Sequence, residues 1–116
     1  MRIAVVGGRL KSDDHLTRIA HLSGHEIDFH EGDLHGRGVE EIRTIVARSE
    51  LVVIVTEINS HGGVLAAKKA ARQYRTPSLV VRKLSGAKLK TLCEALETRR
   101  RNELASEAET PLAAVG

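Results

Sequence analysis

The sequence predicts an α/β fold, a three-layer sandwich in which helices cover both faces of a four-stranded parallel sheet. Short apolar runs alternate with segments of helical periodicity over the 116 residues, and this β-α-β-α-β-α-β-α order is typical of a parallel sheet. The run Leu51–Val55 is uninterrupted and mostly β-branched, as a strand buried on both faces requires. Right-handed crossovers then favour strand order 2-1-3-4, the flavodoxin-like or Rossmann-like arrangement.

The first half of the chain supplies two strand–helix pairs. The apolar run 3–6 is ended by Gly7-Gly8, which predicts a strand followed by a turn. Residues 13–22 combine apolar residues at helical spacing with a candidate N-cap before them and a glycine shortly after them, so they predict a helix. Residues 26–30 alternate polar and apolar side chains and predict the second strand. The second helix is predicted from four apolar residues at helical spacing, Val39, Ile42, Ile45 and Val46.

The second half repeats the pattern after the strand at 51–55. A third helix is predicted to start near Ser60, and residues 79–81 form the fourth strand. Ser85 is the expected cap of a last helix that ends after Leu104. The apolar stripe of the third helix is predicted to consist of Val64, Ala67, Ala71 and Tyr74. We therefore expect one α/β domain over residues 1–104 and a flexible C-terminal tail over residues 105–116.

Composition excludes several classes of protein. Lys and Arg number 18 against 15 Asp and Glu, a net charge of +3 that favours anionic partners. Phe29 and Tyr74 are the only aromatic residues, which excludes a platform of several stacking aromatics for single-stranded nucleic acid. The lone Cys93 excludes a disulfide framework, and we interpret it as a small buried hydrophobe. No apolar run is long enough to span a membrane, so we expect a cytoplasmic protein without a membrane partner.

The residues that follow the four strands are the candidates for a site. In an open α/β sheet, ligands bind beyond the carboxyl ends of the strands, and these positions are almost all polar, ionisable or glycine. The candidate ligand-binding residues are Gly7, Gly8, Arg9, His30, Asp33, Thr56, Asn59, Ser60, His61, Lys68, Arg82 and Lys83.

Each candidate has an expected role toward a phosphate-bearing ligand. Arg9 and Arg82 would clamp the phosphate, and Lys68, two helical turns after His61, would add a point charge. His61 and Asn59 would orient a sugar or base, and His30 and Asp33 would close the site. The glycines would let the ligand approach the backbone closely. The alternative interpretation is structural, with Gly7-Gly8 as a tight turn and Ser60 as a plain helix cap.

Five short motifs, taken in order, resemble a bacterial family of domains of unknown function, family 2325. They are Val6-Gly7-Gly8-Arg9, His30-Glu31-Gly32-Asp33-Leu34, Ser60-His61, Lys68, and Pro77 with Arg82. The resemblance covers residues 2 to about 96 and implies a small α/β sandwich with the same functional edge. It implies no activity. Many relatives carry cysteines near the S-H motif where this chain has Val55, Ile58 and Val64, so a thiolate-metal or redox role is not implied here.

Three functions are compatible with these residues. The first, which we favour, is a non-enzymatic binding module for a nucleotide or a short stretch of RNA or DNA. The second is a metal-dependent phosphoesterase or nuclease with a divalent ion as cofactor, although no compact spacing such as H-x-x-x-H supports it. Its candidate ligands are His30, Glu31, Asp33, Glu57 and His61. The third is a homodimeric protein-interaction scaffold, because a sheet of this size buries little area alone.

Overall fold

The computed structural model describes residues 1–8, 13–57 and 59–115, and the side chains of this range except those of residue 13 and residues 105–115. Its strands and helices alternate along the chain as the sequence predicts. The elements are β1 (Arg2–Val6), α1 (Asp13–Leu22), β2 (Glu26–His30), α2 (Gly38–Ala47), β3 (Leu51–Val55), α3 (His61–Gln73), β4 (Ser78–Val81) and α4 (Gly86–Val115).

The four strands form one parallel sheet in the order β2-β1-β3-β4, which confirms the predicted topology. In the register, Ile3 of β1 lies opposite Ile27 of β2 and Leu51 of β3, and Val53 of β3 lies opposite Leu79 of β4. Helices α1 and α4 pack together on one face, and α2 and α3 pack together on the other. The result is the three-layer sandwich expected from the alternation of elements.

The core is aliphatic and lies on both faces of the central strands. Every residue of β3 is buried, as predicted for a strand covered on both sides. Alternate residues of β1 serve the two layers, since Ala4 packs under α2 and α3 and Ile3 packs under the opposite layer. Each fully buried valine or isoleucine contributes about 1.5–3 kcal/mol. Cys93 is buried in the core between α1 and α4, and burial raises the pKa of its thiol.

Two helices end in the same hydrogen-bonded turn, built on different residues. After α1, Gly24 has φ +77°, and the His25 amide donates to the carbonyl of Ala20 at 2.9 Å. After α3, Arg75 takes the corresponding left-handed conformation with φ 53°, and the Thr76 amide donates to Ala71 at 2.8 Å. Glycine is the usual residue at this position because a side chain is strained there. Arg75 is therefore an exception that needs a reason.

Two expectations about helices are corrected. Tyr74 is not part of the buried stripe of α3, because the helix ends at Gln73 and Tyr74 is its C-cap residue, 42% exposed. The last helix, expected to fade somewhere after Leu104, continues to Val115, although Pro111 lies within the added segment. The domain division and the flexible tail stay predictions. The predicted cap at Ser85 is confirmed, as its hydroxyl accepts from the Lys88 amide at 3.2 Å.

Strand β4 is the least covered strand of the sheet. Its apolar residues Leu79 and Val80 are 41% and 47% exposed, although they belong to opposite faces of the sheet. One long side of β4 has no neighbouring strand, because β4 lies at the end of the strand order. In the part of the chain that the structure describes, no helix combines the length and the apolar character needed to cross a membrane.

Candidate functional site

The loops that follow the four strands lie side by side at the carboxyl edge of the sheet. We call this edge the rim and define it as residues 7–8, 30–33, 56–57, 59–61 and 82–85. The Gly7 amide donates to the carbonyl of His30 at 2.7 Å, and the Glu57 amide donates to the carbonyl of Arg82 at 2.9 Å. The rim thus gathers the strand ends that the sequence singles out. Arg9, the predicted phosphate clamp, lies outside the described residues.

Asn59 occupies the point where the strand order reverses, between β1 and β3. Its Nδ2 donates to the carbonyl oxygens of Val55 at 2.8 Å and Val6 at 3.3 Å. This point is the usual ligand crevice of an open α/β sheet, and here a side chain of the protein fills it. The Asn59 Oδ1 atom is buried and has no hydrogen-bond partner among the described residues.

The glycines of the rim make room for Asn59. A Cβ added to Gly32 would overlap the Asn59 amide oxygen, and one added to Gly7 would lie 2.6 Å from its Nδ2. Gly63, in the first turn of α3, would collide with the same oxygen at 2.5 Å. The predicted close approach of a ligand to Gly7 is therefore a close approach of Asn59. Gly8 has φ +93° and open space around it, with Val55 Cγ1 3.9 Å away as its nearest neighbour.

Ser60 joins the start of α3 to the loop after β2. Its hydroxyl accepts from the Gly63 amide at 2.8 Å, which confirms the predicted N-cap, and donates to the carbonyl of Gly32 at 2.7 Å. The donor and acceptor roles of the hydroxyl are both in use. In this arrangement Ser60 is a structural residue.

His30 and Asp33, expected to close the site, hold the shape of the loop that contains them. The Nδ1 of His30 accepts from the Gly32 amide at 3.0 Å, so its ring proton is on Nε2, which lies 3.4 Å from a Glu41 carboxylate oxygen. Asp33 accepts from the His35 amide at 2.9 Å. That backbone hydrogen bond, followed by the one from the His35 side chain, lowers the pKa of Asp33. Both side chains are satisfied within the protein.

The candidate metal ligands do not form a cluster. Within residues 1–8, 13–57 and 59–104, no three His, Cys, Asp or Glu side chains come close enough to hold an ion together. His30 has Nδ1 in a hydrogen bond, and its Nε2 lies 3.4 Å from a Glu41 carboxylate oxygen. The set His30, Glu31, Asp33 and His61 is therefore not assembled into a metal centre in the described geometry.

The exposed basic residues of the rim lie over β3 and β4. Thr56, His61, Arg82 and Lys83 are all exposed, and the neighbouring Lys88 reaches the rim by donating from Nζ to the carbonyl of Lys83 at 3.2 Å. None of the three cations lies within 4.0 Å of a carboxylate among the described side chains. This half of the rim presents positive charge to solvent.

Lys68 lies away from His61, in a groove between α3 and β4. Seven helical residues rise about 10 Å, which carries Lys68 from the rim to the middle of α3. The groove has a volume of about 370 Å³ and is lined by Lys68, Ala71, Arg72, Arg75, Thr76, Ser78 and Val80. The sequence analysis missed Arg72 and Arg75. The signal that could have found them is the complete absence of Asp and Glu between Ile58 and Cys93.

Together the fold and the rim define a small α/β domain of flavodoxin-like strand order, with its exposed polar residues at the carboxyl edge of the sheet. The chain belongs to the family DUF2325, described as an uncharacterized protein conserved in bacteria, whose sequence profile matches residues 2–98. No curated protein matches the chain.

Proposed function

We propose that the protein is a non-catalytic binding module for a phosphate-bearing ligand, a nucleotide or a short stretch of RNA or DNA, which binds at the β3–β4 half of the rim. One observation carries the proposal. Arg82, Lys83 and Lys88 lie exposed at the carboxyl end of β4, and none of them is within 4.0 Å of a described carboxylate. The proposal includes the cytoplasmic location expected from the single cysteine.

The chemistry of this half of the rim suits a phosphate. The Arg82 guanidinium can donate two parallel hydrogen bonds to phosphate oxygens, and Lys83 adds a compact positive charge. The rim also contains the N-terminus of α3, where the helix dipole favours anions. Thr56 offers an exposed hydroxyl donor, and His61, in the first turn of α3, is exposed. A phosphate over β3 and β4 would meet all of these groups.

The proposal divides the predicted site residues into two sets. Thr56, His61, Arg82 and Lys83 are proposed to contact the ligand, with Gly8 extending the surface over β1. Asn59, Ser60, His30 and Asp33 are proposed to shape the rim without touching the ligand, because their hydrogen-bonding groups are largely engaged within the protein. A nucleotide would therefore lie on the rim rather than in the crevice that Asn59 fills.

Glu57 separates this proposal from the metal-dependent alternative. It is exposed and lies beside Arg82 in the rim. A carboxylate near a phosphate repels it, so Glu57→Gln is expected to tighten nucleotide binding about two- to fivefold. If Glu57 instead held a catalytic metal ion, the same change would abolish turnover of a phosphodiester substrate. Adenosine monophosphate binding by calorimetry, together with a phosphodiesterase assay with added Mg²⁺ or Mn²⁺, distinguishes the two.

The companion variant is Arg82→Gln, which is expected to weaken adenosine monophosphate binding about tenfold at low salt, since hydrogen bonds between charged groups are the strong ones. Arg43→Gln is the control because Arg43 is exposed on α2 and lies outside the rim. Equal binding by the Arg82 and Arg43 variants would overturn the proposal. So would a wild-type protein that binds neither adenosine monophosphate nor an oligonucleotide at low salt.

The open side of β4 favours the homodimer as a second candidate. Leu79 and Val80 are half-exposed on a strand that has a neighbour on one side only, and such edges tend to pair with another strand. Antiparallel pairing of two β4 strands would join two sheets into one. Sedimentation analysis at micromolar concentration is expected to give a dimer in this case, and a monomer that persists at all salt concentrations would exclude it.

A further inference from the structure

Positive charge is concentrated in one continuous part of the chain. From Ile58 to Cys93 the sequence contains no Asp or Glu, whereas its cations are Lys68, Lys69, Arg72, Arg75, Arg82, Lys83, Lys88 and Lys90. This segment forms α3, β4 and the start of α4. Residues of α3 and β4 line one groove at the β4 edge of the sheet, whereas the start of α4 packs against α1 on the opposite face. None of the segment's cations is in an ion pair with a described carboxylate.

Several of these cations form a line that starts at the rim. Along α3, residues 61, 68 and 72 are separated by seven and four positions, which places them on one face of the helix. Arg75 follows the end of the helix, and its side chain lines the groove on the same side. On β4, Ser78 and Val80 line the groove against this face, and Arg82 follows in the same alternation. We call the line of His61, Lys68, Arg72, Arg75 and Arg82 the basic track. It extends about 20 Å along α3.

We infer that the ligand of the rim is a nucleic-acid strand, and that its sugar–phosphate backbone continues from the rim along the basic track. This inference rests on the proposed function. A single nucleotide would reach only the rim end of a track this long. A nucleic-acid backbone carries one phosphate per about 3.4 Å of duplex along each strand, so it supplies charge along the whole line. Thr76 and Ser78 line the same groove and offer the hydroxyl donors that commonly contact phosphates.

The position of the track favours a nucleic acid over other polyanions. An acidic peptide that paired with β4 would use the main-chain groups on its open side and would leave the face of α3 without contacts. A lipid bilayer is flat and could not follow a groove between a helix and a strand. The track has one exposed aromatic neighbour, Tyr74, so binding is expected to depend on phosphate contacts rather than on stacked bases.

The backbone at Arg75 supports the same inference. The residue has φ 53° at a helix end where glycine is the unstrained choice. A cation kept in a strained conformation indicates that its side chain has a use, and here that side chain lines the groove. Arg75 precedes β4, so its side chain lies at the end of the groove away from the rim.

The test compares a long ligand with a short one. Fluorescence anisotropy measures binding of a labelled oligonucleotide of about 12 residues, single-stranded and duplex, as a function of salt. Adenosine monophosphate serves as the probe of the rim alone. The double variant Lys68→Gln/Arg72→Gln is expected to bind the oligonucleotide about 4- to 25-fold more weakly. It should also reduce the slope of log K against log salt by about 1.4–1.8, while adenosine monophosphate binding stays unchanged.

Controls keep this inference separate from the proposed function. Arg43→Gln should leave both ligands unaffected, and an unchanged unfolding midpoint shows that the double variant is folded. The double variant could bind the oligonucleotide as the wild type does while Arg82→Gln weakens the binding of both ligands. That result would overturn the inference about the basic track and would support the proposed function of the rim. If neither ligand binds the wild type, the proposed function fails and the inference fails with it. Tighter binding of polyglutamate, inorganic polyphosphate or anionic vesicles than of the oligonucleotide would also overturn the inference.

Discussion

Over β1 and β2, His30 and Ser60 of the rim are hydrogen-bonded to backbone groups of the protein, whereas the cations of the rim over β4 face solvent. His30 bonds to the Gly32 amide and faces Glu41, and Ser60 bonds to two backbone groups. Arg82 and Lys83, at the same edge of the same sheet, are exposed. The difference teaches that a polar residue at the end of a strand is not by itself evidence of a ligand. Its internal partners decide whether it serves the fold or is free for binding.

The charges at the two sides of the sheet differ in the same way. Beside β2, Arg2 lies 2.7 Å from Glu26, and Arg48 lies 2.9 Å from Asp28. Beside β4, the cations have no acidic residue nearby in the sequence and no ion pair among the described side chains. Exposed ion pairs contribute at most about 1 kcal/mol each to stability, so the ion pairs beside β2 stabilise the fold only slightly. The uncompensated charge beside β4 has more consequence, because it attracts anions.

The largest expected effect is a loss of stability when the packing around Asn59, at the β1–β2 half of the rim, is disturbed. Gly32→Ala forces a side chain into the space of the Asn59 amide at a residue with φ +89°. Backbone strain and overpacking together are expected to lower the free energy of unfolding by about 3 kcal/mol. Gly24→Ala is the matched control, since Gly24 has φ +77° and nothing within 4 Å of an added Cβ. It should cost about 1 kcal/mol from the backbone alone.

Urea unfolding measures both variants, and anisotropy at low temperature measures oligonucleotide binding by the folded fraction. That affinity should change less in either variant than in Arg82→Gln, because Gly32 shapes the rim through Asn59 and Ser60 and is not proposed to contact the ligand. A Gly32→Ala protein no less stable than Gly24→Ala would contradict the packing described around Asn59.

A smaller effect is expected at Arg75 in the basic track, where one substitution should raise stability and weaken binding. Arg75→Gly relieves the strained φ of 53° and is expected to raise the free energy of unfolding by about 0.5–1 kcal/mol. The same change removes a cation from the track and should weaken oligonucleotide binding about two- to fivefold. Arg75→Ala is the control that removes the charge and keeps the strain. Arg75→Ala is expected to weaken binding without the gain in stability. If Arg75→Gly binds the oligonucleotide as tightly as the wild type does, Arg75 does not contact the nucleic acid.

The last prediction concerns pH and lies far from the rim. His25, just before β2, is 2% exposed, and neither ring nitrogen has a hydrogen-bond partner among the described residues. Burial, and then the positive N-terminus, lower its pKa below 6.5, although Glu97 lies 3.7 Å from Nε2 and acts in the opposite direction. The unfolded chain therefore takes up this proton at a higher pH than the folded protein does. Stability contributed by neutral His25 is lost as the pH falls below about 6.5.

The measurement is the free energy of unfolding from pH 8 to pH 5, by urea titration, for the wild type and for His25→Leu. The other histidines titrate in both proteins, so the difference between the two isolates His25. The wild type should lose stability relative to the variant below pH 6.5. A difference that does not change with pH would contradict a lowered pKa.

Most of the fold could be predicted from the sequence because its signals are local. The β-branched run of β3 and the serines before α3 and α4 fix strand and cap positions by short-range sterics and hydrogen bonds. Tyr74 shows the limit of periodicity, since the helix ends one residue earlier and the predicted stripe loses its last member. The end of α4 shows another limit, because Pro111 is a local signal that ends helices and α4 nevertheless continues past it to Val115.

The sequence by itself determined the order of the elements, the carboxyl edge as the place of the site, and the absence of acidic residues from 58 to 93. Only the tertiary structure decided which residues of that edge are engaged. Ser60 meets a carbonyl 28 positions away, and Asn59 meets one 53 positions away. A hydrogen bond across such a distance depends on how strands and loops come together in space, and periodicity carries no information about it. The same packing brought Lys68, Arg72 and Arg75 against β4 and turned a run of cations into a track.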